Sequence, residues 1–177
     1  MLEGKNVNLR RAEKDDVSLV AQRFGDPQYM GEYQDTWTIP IEELRKSMLE
    51  DNIFFIIEKK DGTKIGHIGA HMYGWMRGRM MDLGFALVPG ERRKGYGTEA
   101  IQMMVDYLFL ETGVVRVQVP TGTKNISSQK ALEKAGFTRE GIMRKSWFAK
   151  GEYIDQCLYS ILREEWKEPK VLAKTTS

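Results

Sequence analysis

The stretch Arg92-Arg93-Lys94-Gly95-Tyr96-Gly97-Thr98 marks the point where the chain changes from strand to helix. Pro89-Gly90 ends the β-rich segment before it, and a helical pattern follows it. Gly95 and Gly97 permit a sharp turn and a close approach to a ligand, because neither carries a Cβ atom. The first turn of a helix has unpaired N–H groups and a partial positive charge. The stretch therefore predicts an anion site suited to a pyrophosphate.

Two other phosphate loops have a different spacing. The nucleotide triphosphatase pattern Gly-x-x-x-x-Gly-Lys-Ser/Thr is absent from the sequence. The Rossmann pattern fails because Ala100 stands where the third glycine would be, and because no βαβ unit precedes the loop. A basic turn that only caps a helix would share the Gly-x-Gly spacing. The neighbouring elements are therefore needed to distinguish a helix cap from a phosphate-binding loop.

Upstream of this loop, the apolar spacing predicts four strands and two helices. Asp61-Gly62 is a strong hairpin signal, and residues 74–78 are typical of a second turn. Asp15 or Asp16 is suited to cap the first helix, which runs to about residue 24. The second predicted helix covers residues 41–51, and the predicted strands cover residues 6–10, 54–58, 64–72 and 79–88.

Downstream of the loop, the period of the pattern changes. Ile101, Met104, Val105 and Leu108 fall at i, i+3, i+4 and i+7, the spacing of one helical face. Gly113 is suited to end that helix. The rest of the pattern predicts a strand at 114–119, a helix at 125–135, and two strands at 138–147 and 153–162.

This order of elements predicts a mixed α/β fold with one central sheet and helices on its faces. The chain has 177 residues, which fits one domain. We place that domain at residues 1–168 and a polar tail at residues 169–177.

Composition narrows the classes of function. The formal charge is +2, from 27 basic and 25 acidic residues, so we expect no nucleic-acid partner. No stretch approaches the roughly 20 apolar residues of a membrane span, and no signal region precedes the first strand. Cys157 is the only cysteine, which excludes an internal disulfide and suits a reducing compartment. We therefore expect a cytoplasmic protein without a membrane partner.

Four short motifs, spread over nearly the whole chain, resemble those of one family. Arg92-x-x-Gly95-x-Gly97 is similar to the acyl-CoA signature of the GNAT acetyltransferase superfamily, and residues 83–89 resemble its fourth strand. Residues 125–128 and 134–137 resemble the start and end of a later family helix. The segments 150–155 and 159–166 resemble the ribosomal-protein-type (RimJ/RimL-like) branch.

The resemblance implies a mostly antiparallel mixed sheet of about seven strands with about four flanking helices. It also implies a splay between the fourth and fifth strands, with acetyl-CoA as co-substrate and no metal. Ala86, Leu87 and Val88 would pair with the pantetheine arm, and Val88 N–H would meet the developing oxyanion. The pyrophosphate would bind to the loop residues Arg92, Arg93, Lys94, Gly95, Tyr96, Gly97 and Thr98.

Asn125 and Ser128 would contact the same cofactor from the next helix. Asn125 is equally suited to be the N-cap of that helix, and the two roles are compatible.

The reaction needs a base, because only a neutral amine attacks a thioester. Asp82 is the first candidate, because strand alternation places it on one face with Gly84 and Ala86, whose small side chains leave room for a ligand. Many relatives have Glu at this position, so the shorter Asp leaves the role open. Glu32 is the second candidate, although it would equally bind a cationic substrate or be an exposed loop charge.

The acid is unassigned, because this chain has Leu132 where many family members have a tyrosine. Leucine cannot donate a proton. Ser128, Tyr159 or a water molecule are the candidates for this role.

The acidic and aromatic segment 31–37 is predicted to contact the acceptor amine through Glu32, Tyr33 and Trp37. His67 and His71 share a strand face, but roughly 13 Å of strand separates them, too far to share a metal ion. His71 is assigned to the acceptor cleft. An apolar cluster at residues 72–81 is interpreted as hairpin packing or, alternatively, as a homodimer surface.

The sequence therefore predicts an acetyl-CoA-dependent N-acetyltransferase acting on a primary amine in a ternary complex. A protein or peptide N-terminus is the leading acceptor, and a small polyamine or amine drug is the alternative. A non-catalytic acyl-CoA sensor is the alternative from another class.

Overall fold

The computed structural model describes residues 1–72 and 79–170, and a single sheet forms the centre of this part of the chain. The sheet has eight strands in the order β1-β2-β3-β4-β5-β6-β8-β7. All neighbours are antiparallel except β5 and β6, which are parallel. The strands are β1 (Leu2–Glu3), β2 (Val7–Arg11), β3 (Ile53–Lys59), β4 (Lys64–Met72), β5 (Met80–Leu87), β6 (Arg116–Gly122), β7 (Thr138–Ala149) and β8 (Glu152–Leu162).

Five α-helices accompany the sheet in the described part of the chain. None of them is long and apolar enough to cross a membrane. Short 3₁₀ turns precede α1 and α4, and a π-helical turn at Ser47–Asp51 continues α3. The helices are α1 (Val17–Phe24), α2 (Pro27–Met30), α3 (Ile41–Lys46), α4 (Tyr96–Glu111) and α5 (Ile126–Ala135).

The predicted fold class is confirmed, with one strand and one helix more than the sequence pattern indicated. β1 is a two-residue strand that pairs Leu2 with Leu9. The additional helix α2 opens at Pro27, and the Asp26 side chain caps it by accepting a hydrogen bond from Gln28 N–H. The predicted turn at 74–78 lies outside the described residues.

The helices cover the two faces of the sheet unequally. α4 and α5 cover one face, where the predicted helical stripe Ile101, Met104, Val105 and Leu108 is buried. On the other face, α1 and α3 pack against β3. Glu99 fixes α4 to the first strands by accepting hydrogen bonds from the backbone and side-chain nitrogens of Asn6, both at 2.8 Å.

The sheet parts in the middle. β5 and β6 pair only at Met80↔Arg116, Met81↔Val117 and Asp82↔Gln118 within the described residues. Beyond that point β5 stays with β4 up to Leu87, and β6 stays with β8 up to Gly122. The predicted splay is therefore confirmed, and it opens a cleft between the two halves of the sheet.

The C-terminal segment docks onto α4. Trp166 Nε1 and Lys170 N–H both donate to Asp106, at 2.8 and 3.0 Å. The docked part of the chain thus extends two residues beyond the predicted boundary at residue 168.

Asp16 ties the start of α1 to the sheet. Its carboxylate accepts two hydrogen bonds from Arg10 of β2 and one from Lys64 of β4. Burial alone would raise its pKa, but the hydrogen bonds from Arg10 and Lys64 outweigh that effect and hold the pKa of Asp16 at about 2.

We expect Asp16→Asn to lower the free energy of unfolding by about 2 kcal/mol at pH 7, because Lys64 loses its ion pair and Arg10 keeps only its pairs with Glu58 and Glu13. The folded pKa of Asp16 is depressed, so its contribution is present above about pH 4 and is lost as the pH falls towards about 2. Urea unfolding at pH 7 and pH 3 measures the difference. The exposed neighbour Asp15→Asn is the control, and an equal loss at both pH values for Asp16→Asn would contradict the prediction.

Candidate active site

The floor of the cleft is formed by the side chains of β5. Met81, Leu83 and Leu87 are buried towards α4, as the alternation predicted. Asp82, Gly84 and Ala86 face the opposite side. Gly84 is exposed although it lies in the centre of the sheet, and a Cβ atom built on it would meet no described atom within 4 Å. The middle of the sheet therefore has open space above it on the Asp82 face.

The main-chain groups of β5 alternate between the two neighbouring strands. Val88 N–H donates to Ile65 O at 2.9 Å, so alternate residues such as Ala86 also direct their groups to β4. Phe85 and Leu87 consequently direct theirs towards the parting. The prediction that Val88 N–H meets an oxyanion is wrong, because β4 occupies it. Of the three residues predicted to pair with the pantetheine arm, only Leu87 directs its main-chain groups there.

The loop before α4 has the backbone of an anion cradle. Arg93 and Gly95 both adopt left-handed conformations, with φ of 63° and 89°. Such a left-handed turn directs successive N–H groups into one concavity. Gly95 is the N-cap of α4, so the first-turn N–H groups of residues 96–98 face the same region. The local geometry thus agrees with the predicted phosphate loop.

Two of the three predicted loop cations are engaged within the protein. The Arg92 guanidinium donates to the carbonyls of Leu87 at 2.9 Å, Tyr29 at 2.6 Å and Gln28 at 3.2 Å. Lys94 Nζ donates to Glu91 at 2.9 Å. Arg93 is exposed. The cradle thus depends on main-chain N–H groups more than on the charges that made it conspicuous in the sequence.

The start of α5 closes the other side of the parting. Asn125 Oδ1 accepts from Ser128 N–H at 3.2 Å, which confirms Asn125 as the N-cap. Asn125 N–H also bonds to the carbonyl of Gly122 at the end of β6. A contact of Asn125 and Ser128 with a cofactor stays a prediction.

Asp82 occupies the last paired position before the strands separate. Its side chain is buried, and Oδ1 has no hydrogen-bond partner within residues 1–72 and 79–170. Burial raises the pKa of Asp82, while a hydrogen bond from Gln118 and the charges of His71 and Arg116 partly oppose the rise. A carboxylate with a raised pKa and a free oxygen is suited to accept a proton.

The acid candidates have different surroundings. Leu132 is fully buried in the core beneath α5. The Tyr159 hydroxyl donates to Glu133 at 2.9 Å, and burial together with that carboxylate raises the pKa of Tyr159 to about 12. The prediction of Tyr159 as the acid loses its support, because its proton is engaged on α5. Ser128 is half-buried at the mouth of the parting and stays a candidate.

Residues 28–35, which we call the strap, cross the mouth of the parting. Arg92 holds the carbonyls of residues 28 and 29 at the end of β5. At the other end of the strap, Asp35 Oδ1 accepts from Lys150 N–H at 3.0 Å, in the turn between β7 and β8. Between them, Tyr33 Cβ lies 3.9 Å from a Cβ built on Gly122. The strap therefore links both halves of the parted sheet.

A cavity of about 390 Å³ lies between the strap and the β7–β8 hairpin. The predicted acceptor residues Glu32 and Tyr33 line it. The contribution of the hairpin was not predicted, because no local pattern relates it to the strap. Its charged lining has three carboxylates and three ammonium groups, from Glu32, Glu152 and Asp155 and from Lys124, Lys145 and Lys150.

The other two predicted acceptor residues lie elsewhere. Trp37 packs edge-on against Phe24 at 5.7 Å and lines a separate cavity of about 220 Å³ beside α1 and α3. Trp37 therefore does not line the cavity that Glu32 and Tyr33 line, because its ring packs beside α1 instead. His71 is exposed and is the ladder partner of Asp82.

The second histidine, His67, belongs to the core. Its Nδ1 lies 2.8 Å from the Tyr29 hydroxyl and its ring stacks on Phe54. Burial lowers the pKa of His67 to about 3, so the ring is neutral at physiological pH. The described residues contain no group of three or more His, Cys, Asp or Glu side chains that could hold a metal ion.

Sequence reasoning missed Gln118, the partner of Asp82 across the parting. The signal was present in residues 115–119, Val-Arg-Val-Gln-Val, because strict alternation puts Arg116 and Gln118 on one face of a strand.

Comparison with known proteins shows which family this chain matches. Residues 6–138 match the family described as "Acetyltransferase (GNAT) domain". An uncharacterized N-acetyltransferase, p20, from Bacillus licheniformis is 29% identical over 171 residues, covering 92% of this chain and 96% of the relative. A crystal structure of a GNAT-family acetyltransferase from Bacillus anthracis is 26% identical, with a TM-score of 0.77 over 92% of this chain and 98% of that one.

Two further relatives have names that state an acceptor. A putative ribosomal N-acetyltransferase, YdaF, from Bacillus subtilis is 29% identical over 110 residues, covering 62% of this chain and 60% of the relative. A spermidine N(1)-acetyltransferase from Vibrio cholerae is 23% identical over 128 residues, covering 71% of this chain and 73% of the relative.

We expect Gly84→Val to fold normally but to lose most of its activity, because the new side chain enters the open space above the sheet. Valine is a better strand residue than glycine, so the melting temperature should not fall. Gly141→Val is the matched control, since a Cβ there also meets no described atom within 4 Å but lies on β7. Melting curves and rates of thiol release from acetyl-CoA measure both effects, and full activity of Gly84→Val would show that the cleft is not used.

Proposed function

Because this chain belongs to the GNAT acetyltransferase family and is an acetyl-CoA-dependent acyltransferase, we propose that it acetylates the primary amine of a protein or peptide N-terminus. The observation that carries the proposal is the charge-balanced cavity beside the parted strands. The donor side and the acceptor side of the cleft support it separately.

On the donor side, the features of the loop and the parting fit acetyl-CoA. The left-handed residues Arg93 and Gly95 and the start of α4 form a concavity for a pyrophosphate. The open-side N–H and C=O groups of β5 would pair with the amides of the pantetheine arm, as an added strand would. Bound there, acetyl-CoA supplies the activated acyl group.

We assign proton transfer to the face of β5 that carries the Asp82 side chain. Asp82 Oδ1 accepts the proton of the attacking amine, directly or through water. The amine nitrogen forms a bond with the acetyl carbon, the carbon–sulfur bond breaks, and the leaving thiolate takes a proton from Ser128 or water. The N–H of Phe85 faces the parting and would donate to the oxyanion.

The acceptor is inferred from the charges of the cavity. A polyamine carries several positive charges and gains from a surplus of carboxylates, because like charges about 4 Å apart cost roughly 1 kcal/mol even in water. Here the three carboxylates are matched by three ammonium groups. A peptide has one amine and then carbonyls and side chains of either sign, which such a lining suits. The similarity to YdaF of Bacillus subtilis, whose name is putative ribosomal N-acetyltransferase, also supports this acceptor class.

Two alternatives have specific support. A polyamine acceptor is favoured by the similarity to the spermidine N(1)-acetyltransferase and by Glu32 in the strap. A non-catalytic acyl-CoA sensor is favoured by Leu132, which replaces a tyrosine that many family members use.

The assay that tests the proposal follows thiol release from acetyl-CoA with a panel of amines. We expect peptides that begin with alanine or serine to react at a higher kcat/KM than spermidine. The same peptides with a blocked N-terminus and an internal lysine are the control and should not react. A higher kcat/KM for spermidine would favour the polyamine alternative, and no turnover despite CoA binding would favour the sensor.

We expect Asp82→Asn to lower kcat by about 10²-fold, because the general base is lost. The pKa of Asp82 is raised, so the wild-type rate should fall as the pH drops through a value above the ordinary aspartate range. The variant should lose that acid limb.

The same substitution should raise the melting temperature, because it removes a buried charge with an unpaired oxygen. The turn variant Asp61→Asn is the control for both readouts. An unchanged kcat in Asp82→Asn would exclude Asp82 as the base.

A further inference from the structure

A row of polar side chains crosses the sheet at the point where it parts. Successive ladder partners place His71 of β4, Asp82 of β5, Gln118 of β6 and Ser160 of β8 side by side. Asp82, Gln118 and Ser160 are buried, at 9%, 8% and 2% exposure. Buried polar groups in the middle of a sheet are costly unless each has a partner, so the pattern of partners is informative.

The orientation of the Gln118 amide follows from its neighbour on the same strand. Arg116 Nε lies 3.0 Å from Gln118 Oε1. A guanidinium has only donors, so the amide oxygen must face Arg116. The amide NH₂ is therefore left to face Asp82, the ladder partner of Gln118 on β5, and a hydrogen bond from Gln118 lowers the pKa of that carboxyl.

Arg116 is itself held in place from β7. Its two terminal nitrogens donate to the two oxygens of Glu140, at 2.6 and 2.7 Å. The Ser160 hydroxyl donates to the same carboxylate at 2.7 Å. The hydrogen bonds from Arg116 and Ser160 lower the pKa of Glu140 to about 2, so the pair stays ionised. Bidentate pairing of this kind restricts a guanidinium to one plane.

This series of contacts ends at Asp82, whose two carboxylate oxygens differ in their surroundings. Gln118 lies beside the carboxylate on the neighbouring strand, and Oδ1 has no partner in the part of the chain that the structure describes. A carboxyl group restrained through one oxygen presents the other in a defined direction.

We propose that Gln118 is a positioning residue for the base. Through the line Glu140–Arg116–Gln118 it holds one oxygen of Asp82 and directs Oδ1 to the attacking amine. This inference rests on the proposed function, because it needs Asp82 to accept the proton.

The same contact also sets the charge of Asp82. The titratable groups that face Asp82 are His71 from β4 and Arg116 from β6, and Gln118 adds a neutral donor. Burial favours the neutral acid, and the Gln118 amide favours the carboxylate. Without that amide, the carboxylate would exist only at higher pH.

The test is Gln118→Met, which keeps the volume and removes the donor. We expect kcat at pH 7 to fall about tenfold and the acid limb of kcat to move up by about one pH unit. The KM for acetyl-CoA should stay within about twofold, since Gln118 does not contact the phosphate loop. If this variant does not fold, Gln118→Asn provides the same readout, because its shorter amide is withdrawn from Asp82.

Gln129→Met is the matched control. Gln129 is equally buried, at 8% exposure, and its amide donates to the carbonyls of Gly122 and Thr123. It should leave the position of the acid limb unchanged, whatever its effect on rate or stability. An unchanged acid limb in both Gln118→Met and Gln118→Asn would overturn the proposal.

The Asp82 and Gln118 variants together distinguish a failure of the proposed mechanism from a failure of the positioning role alone. If Asp82 is not the base, Asp82→Asn keeps the acid limb and the proposed mechanism fails. If Asp82→Asn removes the limb while the Gln118 variants leave it in place, only the positioning role fails.

Discussion

The parting of β5 from β6 is the constraint on which the other features depend. Inside a sheet each N–H and C=O normally has a partner, and a buried group without one costs about 1–3 kcal/mol. β5 and β6 give up this pairing after Asp82 and Gln118. Some of the open-side groups are satisfied within the chain, as Leu87 O is by Arg92. The others are suited to a ligand that carries its own amides.

The two halves of the sheet are anchored separately, which keeps the parting open. β5 is held by β4. At the start of α4, a Cβ atom built on Gly97 would lie 3.6 Å from the side chain of Leu87, so α4 packs closely against the end of β5. β6 is held by β8, and Gln129 of α5 bonds to the carbonyls at its end. The strap joins the two halves at the mouth through Arg92 on one side and Lys150 on the other. Asp82 and Gln118 lie at the closed end of the parting, and the cavity lined by Glu32 and Tyr33 lies at its open end.

Local patterns predicted those parts of the site that local forces determine. The loop, the helical face of α4 and the Asp82 face of β5 follow from glycine placement and from periods of 3.6 and 2. The direction of the Val88 N–H could not be predicted, because it depends on the register with β4. The carbonyl partners of the Arg92 guanidinium could not be predicted either, because Tyr29 lies 63 positions away. The contacts of Trp37 and Tyr159 could not be predicted for the same reason, since their partners Phe24 and Glu133 lie on other elements.

The cradle at residues 92–98 consists chiefly of main-chain groups, whereas the cavity under the strap is lined by side chains. Substitution alters side chains readily and leaves peptide groups in place. During divergence, the acceptor half of such a protein can therefore change its partner while the donor half is inherited intact. Relatives named for a ribosomal and for a spermidine acceptor are both similar to this chain, as such an inheritance would produce. In this chain, inherited features would thus lie in the backbone of the cradle, and changes of acceptor would involve the side chains that line the cavity.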